Sequence, residues 1–85
     1  MLLAIDIGNT NIALGLYQSK ELITHWRLVT QAERTADEYG VIISHLISSK
    51  GFRCNQIHSI IASCVVPPMA SVTQELANKF FDLEP

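Results

Sequence analysis

Charge is scarce in this chain. Of its 85 residues 16% are charged, six Lys and Arg against eight Asp and Glu, for a net charge of −2. There is no basic stripe, so the electrostatic footprint of a nucleic-acid-binding protein is missing. Cysteine is scarcer still. Cys54 and Cys64 are too few and too isolated for a disulfide framework or a cysteine-based metal site, and Cys64, set in an apolar run, reads as a small buried side chain. No uninterrupted apolar stretch reaches the ~18 residues of a membrane span. The opening MLLAID lacks a basic leader and meets a carboxylate at position 6, so it does not read as a secretion signal. A cytoplasmic chain is expected, with neither membrane nor nucleic acid as a partner.

Apolar side chains are what the sequence has in quantity, 48% of the total, and that richness excludes a disordered chain. The length suffices for one small domain, or for part of a larger one with apolar surface meant for a further piece. The first 30 residues have the two-residue period of strands. Residues 2–7 are nearly all apolar, and in IALGLY (12–17) Ile12, Leu14 and Leu16 share one face while Ala13, Gly15 and Tyr17 share the other. After the polar break QSKE, the segment ELITHWRLVT suits a third strand, and three antiparallel strands in a meander follow.

The period then changes. Tyr39, Ile42, Ile43, Leu46 and Ile47 fall on one face of a helix. Thr35-Ala36-Asp37-Glu38 has the form of a capping box, and Gly51 fits the stop at the other end. SIIASCVV (59–66) is a short continuous apolar run, predicted as a strand buried on both faces. Pro67-Pro68 ends it and opens a second helix whose apolar face is Met69, Val72, Leu76 and Phe80. The predicted order is β-β-β-α-β-α, with the fourth strand parallel to its partner through a crossover helix.

Between the first two strands stands DIGNTN, residues 6–11. Glycine and asparagine are ordinary hairpin-turn residues, and an aspartate before them can bond the turn amides. The same residues suit a phosphate: Gly8 permits close approach, Thr10 offers a hydroxyl, and Asn9 and Asn11 offer amides. Asp6, at the end of a strand, supplies a hard oxygen ligand of the kind Mg²⁺ takes. The lysine of a P-loop is absent, and no G-x-G-x-x-G precedes a helix. On the residues alone both readings stand.

A strand, a D-x-G turn rich in Asn and Thr, two further strands and then α-β-α resembles the opening of the actin-like ATPase, or ribonuclease H-like, fold. That is an α/β architecture, a mixed sheet with helices packed on it, of which β-β-β-α-β-α is half. Within that superfamily AIDIGNTNIALGLY, HWRLVT, RTADEYG and SCVVPP resemble the amino-terminal portion of the type III pantothenate kinases. The resemblance implies ATP-dependent phosphorylation of pantothenate to 4'-phosphopantothenate, the first step of coenzyme A synthesis. It implies a nucleotide-binding element made of Asp6, Ile7, Gly8, Asn9, Thr10, Asn11, Ile12 and Ala13. In it Asp6 helps hold Mg²⁺, Gly8 to Asn11 face the phosphates, and Ile7, Ile12 and Ala13 contribute backbone and packing. A monovalent cation (K⁺ or NH₄⁺) and a homodimer are implied as well.

Members of that family are considerably longer than this chain. The pantothenate pocket, the general-base aspartate, the adenine-binding surface and the monovalent-cation site are expected in the part without counterpart here. Residues 1–85 are therefore expected to be an incomplete amino-terminal part with no catalytic residue of its own. Two other functions compete: a non-catalytic regulatory or accessory factor on the same fold, and a stand-alone domain whose GNTN is only a turn. Arg34, beside the capping box, is less easily explained by capping than Thr35 and Glu38, and is assigned to the active cleft or a partner subunit. His25, His45 and His58 are too scattered to ligate a metal, and Trp26 reads as a core or interface residue.

Overall fold

A computed structural model describes residues 1–85. Four strands, β1 (Leu2–Ile7), β2 (Asn11–Gln18), β3 (Glu21–Val29) and β4 (Ser59–Cys64), form one sheet in the order β3-β2-β1-β4. β1 pairs antiparallel with β2 and β2 antiparallel with β3, which is the predicted meander. β4 pairs parallel with β1, Leu3 opposite Ile60 and Ile7 opposite Cys64. A parallel neighbour needs a long crossover rather than a hairpin, and α1 (Ala36–Ser49) lies in it. α2 (Ala70–Phe81) follows β4.

Because side chains alternate across a strand, Leu3, Ile5 and Ile7 of β1 fall on the same face as Ile12, Leu14 and Leu16 of β2, and all six are buried. Tyr39, Ile43 and Ile47 of α1 and Leu76, Ala77 and Phe81 of α2 complete the core on that side, with Met69 from the 3₁₀ turn Pro67–Met69. Trp26 and Leu28 of β3 are half-buried against it. Trp26 is thus a core-flanking residue.

Both ends of α1 are fixed by the predicted residues. Thr35 accepts a hydrogen bond from the Glu38 N–H (3.2 Å), and the Thr35 N–H donates to Glu38 Oε1 (2.9 Å). Gly51 adopts a left-handed conformation (φ 86°), donating to the Ser48 carbonyl while Phe52 N–H reaches the Ile47 carbonyl. The pair forms a Schellman stop, with the apolar Phe52 packed against the core. α2 also ends at a left-handed residue, Asp82 (φ 56°), whose N–H donates to the Asn78 carbonyl while the Leu83 N–H reaches the Ala77 carbonyl.

Two expectations change. β4 was expected to be covered on both faces, but it is an edge strand. Ile60 is buried at 4% exposure, whereas its neighbour Ile61 is 60% exposed. The reason is topological: both helices lie on one side of the sheet, and no element of this chain covers the other. Along α2 the buried face runs through Thr73, Leu76, Ala77 and Phe81, and Val72 and Phe80 flank it half-buried. The Thr73 hydroxyl is tolerated there because it donates to the Met69 carbonyl at 2.9 Å.

Candidate functional site

The uncovered face of the sheet holds a shallow depression of about 460 Å³. Small residues, Ala4, Ala13 and Gly15, form its floor, and Tyr17, Leu22 and Ile61 rise around it. Asp6 stands at one end. As the penultimate residue of β1 it points away from the core, is exposed, and pairs with Ala13 on β2 and Ser63 on β4. Its carboxylate takes part in no hydrogen bond or ion pair within the chain. The bland role for Asp6, bonding the amides of its own turn, is thereby contradicted.

Residues 8–10 connect Asp6's strand to β2. Gly8 N–H donates to the Asn11 carbonyl at 2.9 Å, closing the hairpin. A Cβ at position 8 would lie 3.2 Å from that same carbonyl oxygen, tighter than ordinary contact, so the close backbone approach is what calls for glycine. Asn9 and Thr10 are exposed. Neither their backbone N–H groups nor the side chains of Asn9, Thr10 and Asn11 have partners within the chain. Ile7 and Ile12, on either side, are buried at 2% and 3% exposure and fasten the loop to the core. Ala13 is exposed beside Asp6. Residues 6 to 13 thus form one continuous feature, with its anchors inside and its polar groups outside.

Sequence reasoning missed two neighbours. Ser63 lies beside Asp6 on β4, and its only sequence signal is a polar break in the run SIIASC. Thr30, just past β3, donates its hydroxyl to the Gly8 carbonyl at 2.8 Å, and its N–H to the Thr10 carbonyl at 2.9 Å. A threonine at a strand end gives no hint of this.

The RTADEYG segment takes its place through structure. Thr35 and Glu38 cap the helix, and their hydrogen bonds hold the Glu38 carboxyl below the ordinary glutamate range. Arg34 places its guanidinium carbon 5.7 Å from the centre of the Tyr39 ring, within cation–π reach. It lines a separate depression on α1 with Asp37, Glu38, Val41 and Ile42. The histidines do not converge, and no three His, Cys, Asp or Glu side chains group to hold a metal.

An anion bound by the open, donor-rich turn would need a cation between it and the free Asp6 carboxylate. Asp6 would otherwise repel the anion that the loop amides attract. A divalent ion here would have a single protein carboxylate, which suits Mg²⁺, because it keeps several waters and takes phosphate oxygens as ligands.

A four-stranded mixed sheet of this order, crossed by α1 and followed by α2 on one face, defines the chain as half of an actin-like ATPase domain. The sequence profile of the type III pantothenate kinases matches residues 2–85, and the chain belongs to that family. It is 45% identical over all 85 residues to the type III pantothenate kinase of Geobacter sulfurreducens, 44% to that of Syntrophobacter fumaroxidans and 39% to that of Myxococcus xanthus. The whole chain is covered each time, yet it spans only 33% of the length of each relative. No helix is long and apolar enough to cross a membrane.

Proposed function

We propose that this chain is the amino-terminal, phosphate-holding part of a cytoplasmic kinase that phosphorylates pantothenate with ATP, giving 4'-phosphopantothenate for coenzyme A synthesis. The observation that carries the reading is Asp6, a carboxylate without a partner at the mouth of a loop in which the Asn9 and Thr10 N–H groups are also without partners. Family membership supplies the reaction.

In this reading Asp6 holds Mg²⁺, which neutralises phosphate charge when bound. The N–H groups of Asn9 and Thr10, the Thr10 hydroxyl and the amides of Asn9 and Asn11 donate to phosphate oxygens, while Gly8 keeps the backbone close. Phosphoryl transfer depends chiefly on such positioning and charge neutralisation. Ile7 and Ile12 hold the loop ends rigid, and Ala13 leaves room beside the carboxylate. The base that takes the pantothenate hydroxyl proton, the pantothenate pocket and the monovalent-cation site (K⁺ or NH₄⁺) belong to the two thirds of the relatives' length that this chain does not span. The complete enzyme is proposed to be a homodimer.

The test is Asp6→Ala and Thr10→Ala in a full-length protein carrying this segment, with ATP titration followed by amide spectra. Loss of nucleotide affinity in both, with ATP-induced shifts centred on residues 6–13, is expected. Near-normal kcat and affinity in both would refute the assignment. Residues 1–85 alone are expected to form no ADP in response to pantothenate.

A further inference from the structure

The loop's geometry is set from outside the loop. Thr30 reaches it twice, through its hydroxyl to the Gly8 carbonyl (2.8 Å) and through its N–H to the Thr10 carbonyl (2.9 Å). A trans peptide is planar, with its C=O and the following N–H pointing in opposite directions. Drawing the Gly8 carbonyl toward Thr30 therefore turns the Asn9 N–H away from Thr30. Drawing the Thr10 carbonyl the same way turns the Asn11 N–H away as well. Two bonds from one residue thus fix the direction of two loop N–H groups, and that of Asn9 is among the donors assigned to the phosphate.

Thr30 is itself held. The Tyr39 hydroxyl, on a residue buried at 1% exposure, accepts from the Gln31 N–H at 2.8 Å and donates to the Gln31 carbonyl at 2.9 Å. Both groups belong to the residue next to Thr30, and both bonds come from a ring locked in the core, over which Arg34 lies. A path of hydrogen bonds and one covalent step runs from the first turn of α1, through Gln31 and Thr30, to the DIGNTN loop.

We propose that Thr30, braced by Tyr39, is the positioning residue that presents the loop amides to a phosphate group. Neither residue touches the ligand; they act through Gly8, Thr10 and Gln31. The inference rests on the phosphate reading of the loop and adds to it the device that shapes the loop. It also gives a physical reason for DIGNTN and RTADEYG to occur together in one chain.

The experiment uses a full-length protein carrying this segment. Thr30→Val keeps the branched shape and the backbone N–H but removes the hydroxyl; Thr30→Ser restores it. Tyr39→Phe removes both bonds to Gln31 and leaves the ring. One such bond is worth about three- to tenfold in an equilibrium constant. Thr30→Val is expected to raise the Kd and KM for ATP by about that factor, with a smaller change in kcat and KM for pantothenate unchanged. Thr30→Ser is expected to bind ATP as the parent does, and Tyr39→Phe to change in the direction of Thr30→Val. In amide spectra without ligand, Thr30→Val should shift Asn9 most and Asn11 less, because the bond that orients Asn11 comes from the retained Thr30 N–H. Parent-like ATP affinity in Thr30→Val, or a loss that Thr30→Ser fails to rescue, overturns the positioning role. If Asp6→Ala and Thr10→Ala weaken ATP binding while Thr30→Val does not, only this inference falls. If all three bind normally, the phosphate reading falls with it.

Discussion

Gly40 of α1 lies directly against the aromatic ring of Phe80 of α2. A Cβ at position 40 would overlap the Cδ1, Cε1 and Cζ atoms of that ring. The missing side chain lets the two helices approach, and Gly40 is itself buried.

The first prediction sets two opposed effects against each other. Gly→Ala inside a helix gains about 1 kcal/mol of propensity, whereas forcing a methyl group into a packed contact costs about 1–3 kcal/mol. Three overlapped ring atoms put Gly40→Ala on the losing side, since Phe80 must swing out of its half-buried position. With the ring removed the sign reverses: Gly40→Ala is expected to raise Tm in a Phe80→Ala background and lower it in the parent. Thermal melts of the four proteins of this cycle decide the matter, and a stabilising Gly40→Ala in the parent would disprove the contact.

How far the sequence foretold this molecule differs from element to element. The alternation of Ile12, Leu14 and Leu16, the Thr35–Glu38 box and Gly51 were legible because each is a local rule with a fixed spacing. The position of β4 was not. A run such as SIIASCVV tells that its residues are apolar, but coverage of Ile61 depends on elements packed across the sheet. The face of α2 lies a fraction of a turn from the expected one: Met69 and Leu76 are buried as expected, but Val72 and Phe80 flank a stripe that runs through Thr73, Ala77 and Phe81. At the candidate site, DIGNTN was visible as residue types. Thr30 was not, since its hydroxyl meets Gly8 across 22 residues of chain, and only the strand register brings them together.

The helix start gives a pH dependence. Hydrogen bonds from the Thr35 N–H and hydroxyl hold the Glu38 carboxyl below its ordinary range, with Arg34 adding a smaller pull. A carboxyl whose folded-state pKa is depressed contributes stability above the unfolded-state value and loses it as pH falls through the folded one. The stability difference between the parent and Glu38→Gln should therefore be present at neutral pH and lost at a pH low enough to protonate the carboxyl in the folded state. Urea melts at both pH values measure it, and an equal difference at the two would contradict the assignment. Thr35→Ala, which removes the cap itself, should cost about 1 kcal/mol.

At the end of α2, Asp82 holds a left-handed conformation that favours glycine. It also places a negative charge at the negative end of the helix dipole. Asp82→Gly should relieve both and stabilise by about 0.5–1 kcal/mol. Asp82→Asn, which removes only the charge and keeps a side chain tolerant of this backbone, should gain less. Denaturant midpoints rank the three, and a loss of stability in Asp82→Gly would mean that the aspartate side chain has a role its contacts do not explain.

Adjacent isoleucines on β4 test the one-sided sheet. Ile60 faces the helices and is 4% exposed; Ile61 faces the other way and is 60% exposed. In the 85-residue chain Ile60→Ala should cost about 2–5 kcal/mol, the range for emptying a core site of that size. Ile61→Ala should stay within about 0.5 kcal/mol of the parent, as exposed substitutions do. Equal losses at the two positions would mean that the outer face is covered in solution, by a second copy of the chain if the loss at Ile61 depends on protein concentration. The comparison needs only denaturant melts at two concentrations, and a strand slipped by one residue would exchange the two results.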